Sequence, residues 1–211
     1  MAKDWKGNSN SGRYAVGMKT ANSVNEREQD DFYATDPKAL QKLIDRCSVW
    51  LQRIWISTCE HKEIVWECAC GDGNLAKCLM HNGLIVHASD LKDRHFGCPD
   101  VDFLQEKGTP NGCKIILTNP PYSLATEFIE HALDILSDGG LYIAFMNLTY
   151  LHGINRYIRV YSKGTLREVY VFSGRIECWK NGIQSRSGNM VNYAWFVFQK
   201  GFQGQPTLYW L

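Results

Sequence analysis

Between residues 63 and 200 the apolar pattern switches repeatedly from short strand-like runs to a 3.6-residue period and back, and this alternation restricts the fold more than any other feature. Residues 63–67 (EIVWE), 84–89 (LIVHAS) and 114–118 (KIILT) read as short apolar strands, while residues 74–82 and 123–136 (SLATEFIEHALDIL) carry apolar side chains at helical spacing. Residues 141–147, 166–172 and 192–200 supply three more strands. In the last, Tyr193, Trp195 and Val197 alternate with Ala194, Phe196 and Phe198. Strands separated by helices predict an α/β fold with a mainly parallel sheet covered on both faces. Ahead of it, Thr35-Asp36-Pro37 is a helix start, and Leu40, Leu43, Ile44, Cys47 and Leu51 extend one helix to about Ile54. Residues 1–30 are rich in Asn, Ser, Gly and charge and predict a flexible or loosely attached arm, leaving 31–211 as one domain.

Composition narrows the class of partner. The 211 residues are 45% hydrophobic and 21% charged, which suits an ordered core rather than a disordered chain. No apolar run is long enough to span a membrane, and the first residues lack the apolar centre of a signal peptide, so a soluble, cytoplasmic protein is expected. A net charge of +1 creates no global field for polyanions, so any nucleic-acid affinity must be local. Residues 151–190 offer such a patch, with seven basic side chains against two acidic ones. Eight cysteines contain no Cys-x-x-Cys pair and predict small buried thiols rather than a metal site.

In a parallel sheet of this kind ligands bind beyond the carboxyl ends of the strands. After the first predicted strand stands Glu67-Cys68-Ala69-Cys70-Gly71-Asp72-Gly73, a turn whose glycines allow a ligand to approach backbone amides at a helix start. The second strand ends in Asp90-Leu91; an acid there can accept from both ribose hydroxyls of a nucleoside while the apolar neighbour lies against the base. A mononucleoside and a dinucleotide fit these two features equally well. The third strand end is Asn119-Pro120-Pro121-Tyr122. Two prolines fix its backbone, the Asn119 oxygen and the Pro120 carbonyl can each accept from one planar amine, and Tyr122 offers a face to the ring that carries that amine.

With these residues the chain resembles the class I S-adenosylmethionine-dependent methyltransferases that act on amino groups, most closely the adenine-N6 DNA methyltransferases of phages and bacteria. Tyr33, Thr35, Asp36 and Pro37 fall in a segment similar to the one that holds the methionine portion of the cofactor in that family. Glu67, Ala69, Gly71 and Gly73 resemble its glycine motif, Asp90 and Leu91 its ribose and base contacts, Asp102-Phe103 the pair beside the cofactor adenine, and Asn119 to Tyr122 its catalytic signature. The resemblance implies a Rossmann-like, mostly parallel seven-stranded sheet with an antiparallel last strand. It implies S-adenosylmethionine as cofactor, DNA as partner, and a bacterial or phage-infected cell as setting.

It also implies direct transfer of a methyl group to adenine N6, with no metal and no covalent intermediate. An RNA base (adenine N6 or guanine N2), cytosine N4 in DNA and a protein glutamine amide present the same planar amine and stand as alternatives; an RNA partner therefore stays open, as does a catalytically silent cofactor-binding subunit. Three strands and two helices take up most of the 89 residues after Tyr122, so no separate recognition domain is expected. Target contacts are therefore expected from residues 151–163 and 173–189, with Arg175, Lys180 and Arg186 on phosphates and Trp179 on a base. The motifs leave the oligomeric state open.

Overall fold

The computed structural model describes residues 33–174, 176, 178–180 and 191–211, all within the compact unit Asp31–Leu211. Arg175 and Arg186 lie outside the described residues. In chain order the regular elements are β1 (Tyr33–Thr35), α1 (Pro37–Arg46), α2 (Val49–Glu60), β2 (Ile64–Glu67), α3 (Asn74–His81), β3 (Ile85–Ala88), β4 (Ile115–Thr118), α4 (Ala125–Ile135), β5 (Leu141–Asn147), α5 (Ile154–Arg159), β6 (Leu166–Val171), β7 (Cys178–Lys180), β8 (Tyr193–Gln199) and β9 (Thr207–Trp210).

Seven strands form one sheet in the order β3-β2-β4-β5-β8-β6-β9. β3, β2, β4 and β5 run parallel; β8 is antiparallel to both β5 and β6, and β9 is parallel to β6. β4 is buried throughout and β5 and β8 almost throughout, which explains why their sequences are continuous apolar runs. The alternation in β8 separates two core layers. Tyr193, Trp195 and Val197 join Leu40, Leu43, Leu51 and Leu79 beneath the first three helices. Ala194, Phe196 and Phe198 join Phe128, Ile129 and Ala132 of α4 on the other face.

The single helix expected from Pro37 to about Ile54 is two helices broken at Cys47 and Ser48. The reason is tertiary. Ser48 Oγ accepts from the Leu51 N–H at 3.1 Å and donates to the buried Glu168 carboxylate of β6 at 2.8 Å. The Ser48 N–H donates to Tyr170 Oη at 3.1 Å, and that hydroxyl donates to Glu168 in turn at 2.5 Å. A capping residue with a sheet partner on both its polar groups outweighs a helical period that runs on through it. At the start of α1 the expectation holds: Asp36 caps it by accepting from the Lys38 N–H at 2.9 Å, with Pro37 in the first turn.

Between β3 and β4 there is no further strand. Residues 89–113 contain an isolated bridge between Ser89 and Cys98 and two short 3-10 turns. The seventh strand comes from the opposite end of the sheet, where β9 extends it beyond β6.

Candidate active site

The chain leaves β2 through α3 to reach β3 on one side, then returns to β4 on the other side of β2. Strand order reverses at this point, and in open α/β sheets the ligand crevice lies outside the carboxyl ends of the strands at such a reversal, here β2 and β4. The Glu67–Gly73 turn, Asp90 and the Asn119–Tyr122 segment all follow strands that end at this edge.

Glu67 closes β2 and is fully buried. Loss of water pushes its carboxyl up from 4.5 to about 8; the Thr118 hydroxyl and the Ala69 N–H pull the other way, and the Asp90 charge adds to the rise. Its Oε1 accepts from the Ala69 N–H at 3.3 Å. Glu67 Oε2 and Thr118 Oγ1 are both buried without a hydrogen-bond partner of good geometry among the described residues. A buried acceptor at the mouth of a ligand crevice is suited to a ligand that brings N–H donors and positive charge.

The turn that follows is fastened to the end of β3. Gly71, at φ +55°, donates its N–H to Asp90 Oδ2 at 2.8 Å, and Asp90 Oδ1 accepts from the Lys92 N–H at 3.0 Å. Gly73, at φ +84°, begins α3, and a Cβ on it would stand 2.4 Å from the Phe96 ring, so glycine is required there by conformation and by space. Asp90 is nearly buried and Leu91 is exposed beside it. Asp102 is exposed and caps a 3-10 turn by accepting from the Leu104 N–H at 3.0 Å. The Phe103 ring is instead in the core, 5.2 Å from Trp66, 4.7 Å from Phe128 and 5.0 Å from His131 between centroids, leaving Asp102 as the member of that pair at the surface.

Asn119 follows β4 directly. Its Nδ2 donates to Thr35 Oγ1 of β1 at 3.0 Å, and Thr35 is buried. This contact joins positions 84 residues apart in the chain and, with Nδ2 turned to Thr35, leaves Oδ1 at the other edge of the Asn119 amide. Pro120 is buried, and Tyr122 sits half-buried in a 3-10 turn with its ring 6.2 Å from Tyr193, which stacks on Phe145 at 5.0 Å. The Tyr122 carbonyl accepts from the Tyr150 hydroxyl, which ties this turn to the end of β5.

β1 pairs antiparallel with β7, placing the backbone of Tyr33 opposite Lys180, Ala34 opposite Trp179 and Thr35 opposite Cys178. Two of the residues expected to meet a target thus lie on the strand beside the one that holds Asn119. Among the described residues, Arg156, Arg159, Lys163 and Arg167 of the basic stretch are engaged within the protein. Arg159 pairs with Glu127 at 3.0 Å and Glu130 at 2.5 Å, and Arg156 lies over the Tyr150 ring and donates to the His152 carbonyl at 2.6 Å. Arg167 lies over Trp50 and donates to Gln199. Counting charge within residues 151–190 overlooked Glu127 and Glu130, which α4 brings from outside that window. Sequence reading also missed Thr118, Phe96, Tyr150 and Tyr193; only Thr118 carried a signal, as the polar end of an apolar strand leading into Asn119. Among the described residues no cluster of three or more His, Cys, Asp or Glu is arranged to hold a metal, and no helix is long and apolar enough to cross a membrane.

The mostly parallel seven-stranded sheet with one antiparallel strand and flanking helices is a Rossmann-like fold, shared with solved structures of class I S-adenosylmethionine-dependent methyltransferases. A candidate methyltransferase of that class from Listeria monocytogenes superposes with a TM-score of 0.55 at 12% identity, over 95% of this chain and 71% of the other. The type IIG restriction endonuclease BpuSI superposes with a TM-score of 0.60 at 14% identity, over 85% of this chain and 27% of that enzyme, so the chain spans about a quarter of it. A candidate hemolysin from Lactococcus lactis has a TM-score of 0.50 at 10% identity, over 74% of this chain and 89% of that one. No protein-family model matches the chain, and no curated protein matches its sequence.

Proposed function

We propose that the protein transfers a methyl group from S-adenosylmethionine to an exocyclic amine, and that this amine is N6 of adenine in DNA. The observation that carries the proposal is the position of Asn119-Pro120-Pro121-Tyr122 at the end of β4, beside the Glu67–Gly73 turn, with the Asn119 amide oriented by Thr35. The residues at the crevice fit the cofactor. The unsatisfied Glu67 Oε2 would accept from its ammonium, the Gly71 turn leaves room for its backbone, and Asp90, with one lone pair on each oxygen still available, would take the ribose hydroxyls. Leu91 and Asp102 would flank its adenine, and Tyr33 to Pro37 would line the methionine end. When bound, S-adenosylmethionine supplies an electrophilic methyl group on a sulfonium.

The chain's own residues prepare the nucleophile. Asn119 Oδ1 and the Pro120 carbonyl accept hydrogen bonds from the two N–H groups of the target amine, which draws its lone pair out of the ring and aims it outward; as the N–CH3 bond forms, the sulfur would leave as a neutral thioether and the extra N–H proton would pass to solvent. Tyr122 stacks on the base; such contacts contribute about 1–3 kcal/mol per base and offset part of the cost of taking the base out of a duplex. Arg175, Lys180 and Arg186 would neutralise phosphates and Trp179 would meet a base, a reading supported by the pairing of β7 with the strand that orients Asn119. The likeness of the fold to part of a restriction endonuclease favours DNA over the other planar amines.

The test is to incubate the purified protein with methyl-labelled S-adenosylmethionine and, separately, adenine-containing DNA, RNA and protein. Label recovered as N6-methyldeoxyadenosine after nuclease digestion is the expected result. Label recovered only in RNA, in N4-methylcytosine or in glutamine keeps the chemistry and replaces the substrate, and no transfer to any of them refutes the proposal.

A further inference from the structure

At the far end of the sheet from the crevice, β9 is an edge strand, and among the described residues no strand pairs with its outer side. Leu211 donates its N–H to the Val171 carbonyl at 2.8 Å and accepts from the Ser173 N–H at 2.9 Å. In a parallel ladder alternate residues face the same neighbour, so Tyr209 also turns its backbone groups to β6, while Leu208 and Trp210 turn theirs outward. The side chains follow the same alternation. Tyr209 stacks on Tyr170 at 5.1 Å, whereas Leu208 and Trp210 stand on the other face, 49% and 68% exposed. Natural sheet edges are ordinarily blunted by a charge, a proline or a bulge within the strand, and Thr207–Trp210 has none of these.

We infer that β9 is the contact through which two copies of this chain associate. The strand is complementary to itself. If two copies pair antiparallel about a two-fold axis at Tyr209, Leu208 of each faces Trp210 of the other, and both positions present outward N–H and C=O groups. Two such pairs exchange four backbone hydrogen bonds and set each exposed tryptophan against an exposed leucine, without placing charge opposite charge. The seven-stranded sheet continues across the axis into the second copy. Because strands on the two sides then run in opposite directions, the crevices at the ends of β2 and β4 face opposite ways, and each copy acts alone.

Sedimentation velocity and light scattering of the full chain between about 1 and 100 μM test this, with a concentration-dependent rise to twice the chain mass expected. Trp210→Lys should weaken association at least tenfold while leaving methyl transfer per chain, and thermal unfolding at concentrations where both proteins are monomeric, unchanged, since Trp210 is exposed and distant from the crevice. In a Cys98→Ser background, Tyr209→Cys should form a covalent dimer on mild oxidation, because residues on the axis approach to about 4.5 Å between Cα atoms, and Leu208→Cys should not. A wild-type chain that stays monomeric at 100 μM, or a dimer that Trp210→Lys leaves intact, overturns the inference.

Discussion

Asn119 and Thr35 show how a side chain acquires a defined orientation. An amide can rotate to present either edge, and with Nδ2 donating to the Thr35 hydroxyl at 3.0 Å the oxygen is left at the other edge. Thr35 is therefore a positioning residue in the proposed mechanism. Thr35→Val, which keeps the shape and removes the acceptor, should lower kcat about tenfold, while Thr35→Ser should restore most of it; equal rates for wild type and the valine variant would remove Thr35 from that role. Glu67 makes a prediction that needs no substrate. Its carboxyl titrates at about 8 in the fold against 4.5 ordinarily, so between those values the folded protein holds a proton that the unfolded chain releases. Stability of the ligand-free protein should therefore fall as pH rises through this window, and Glu67→Gln should flatten the fall. Urea midpoints measured from pH 5 to 8.5 check it, and parallel curves for the two proteins would contradict it. At this scale the sequence marked Asn119, Glu67, Gly71, Gly73 and Asp90 as site positions because each stands at or just after a strand end. It could not show the contact that orients Asn119, which comes from a strand 84 residues earlier.

Elements were legible where the apolar pattern is long. β4 and β5 occupy residues 115–118 and 141–147, against expected strands at 114–118 and 141–147, because runs buried on both faces leave no ambiguity of period. β1 and β7, three residues each, are too short to carry a period and exist through pairing with each other. The break between α1 and α2 illustrates the opposite failure, a continuous helical pattern interrupted by a partner from β6. Ser48→Ala removes both the cap of α2 and a donor to the buried Glu168, and should destabilise the protein by about 1–3 kcal/mol. Denaturant unfolding checks this; a change below about 0.5 kcal/mol would mean that the helix break is held by packing alone.

For the whole molecule, period and strand-end chemistry together pointed to the α/β class and to the crevice, since ligand position in such sheets follows from strand order rather than from any single residue. What they could not reveal was which seven strands make the sheet. The region after β3 forms turns where another strand could have stood, and β9 supplies the seventh at the other edge. The count of charge over residues 151–190 is right but does not show which charges are paired, because Arg159 and Lys163 meet Glu127 and Glu130 of α4 from outside that window. The central claim is that the Asn119 amide, held at the end of β4, activates the target amine and is not needed to bind the cofactor. Methyl transfer to adenine-containing DNA by Asn119→Ala, measured with calorimetric binding of S-adenosylmethionine to the same preparation, tests it most directly. The rate should fall by about 10²–10³ with cofactor affinity nearly unchanged; full activity in the alanine variant would contradict the claim.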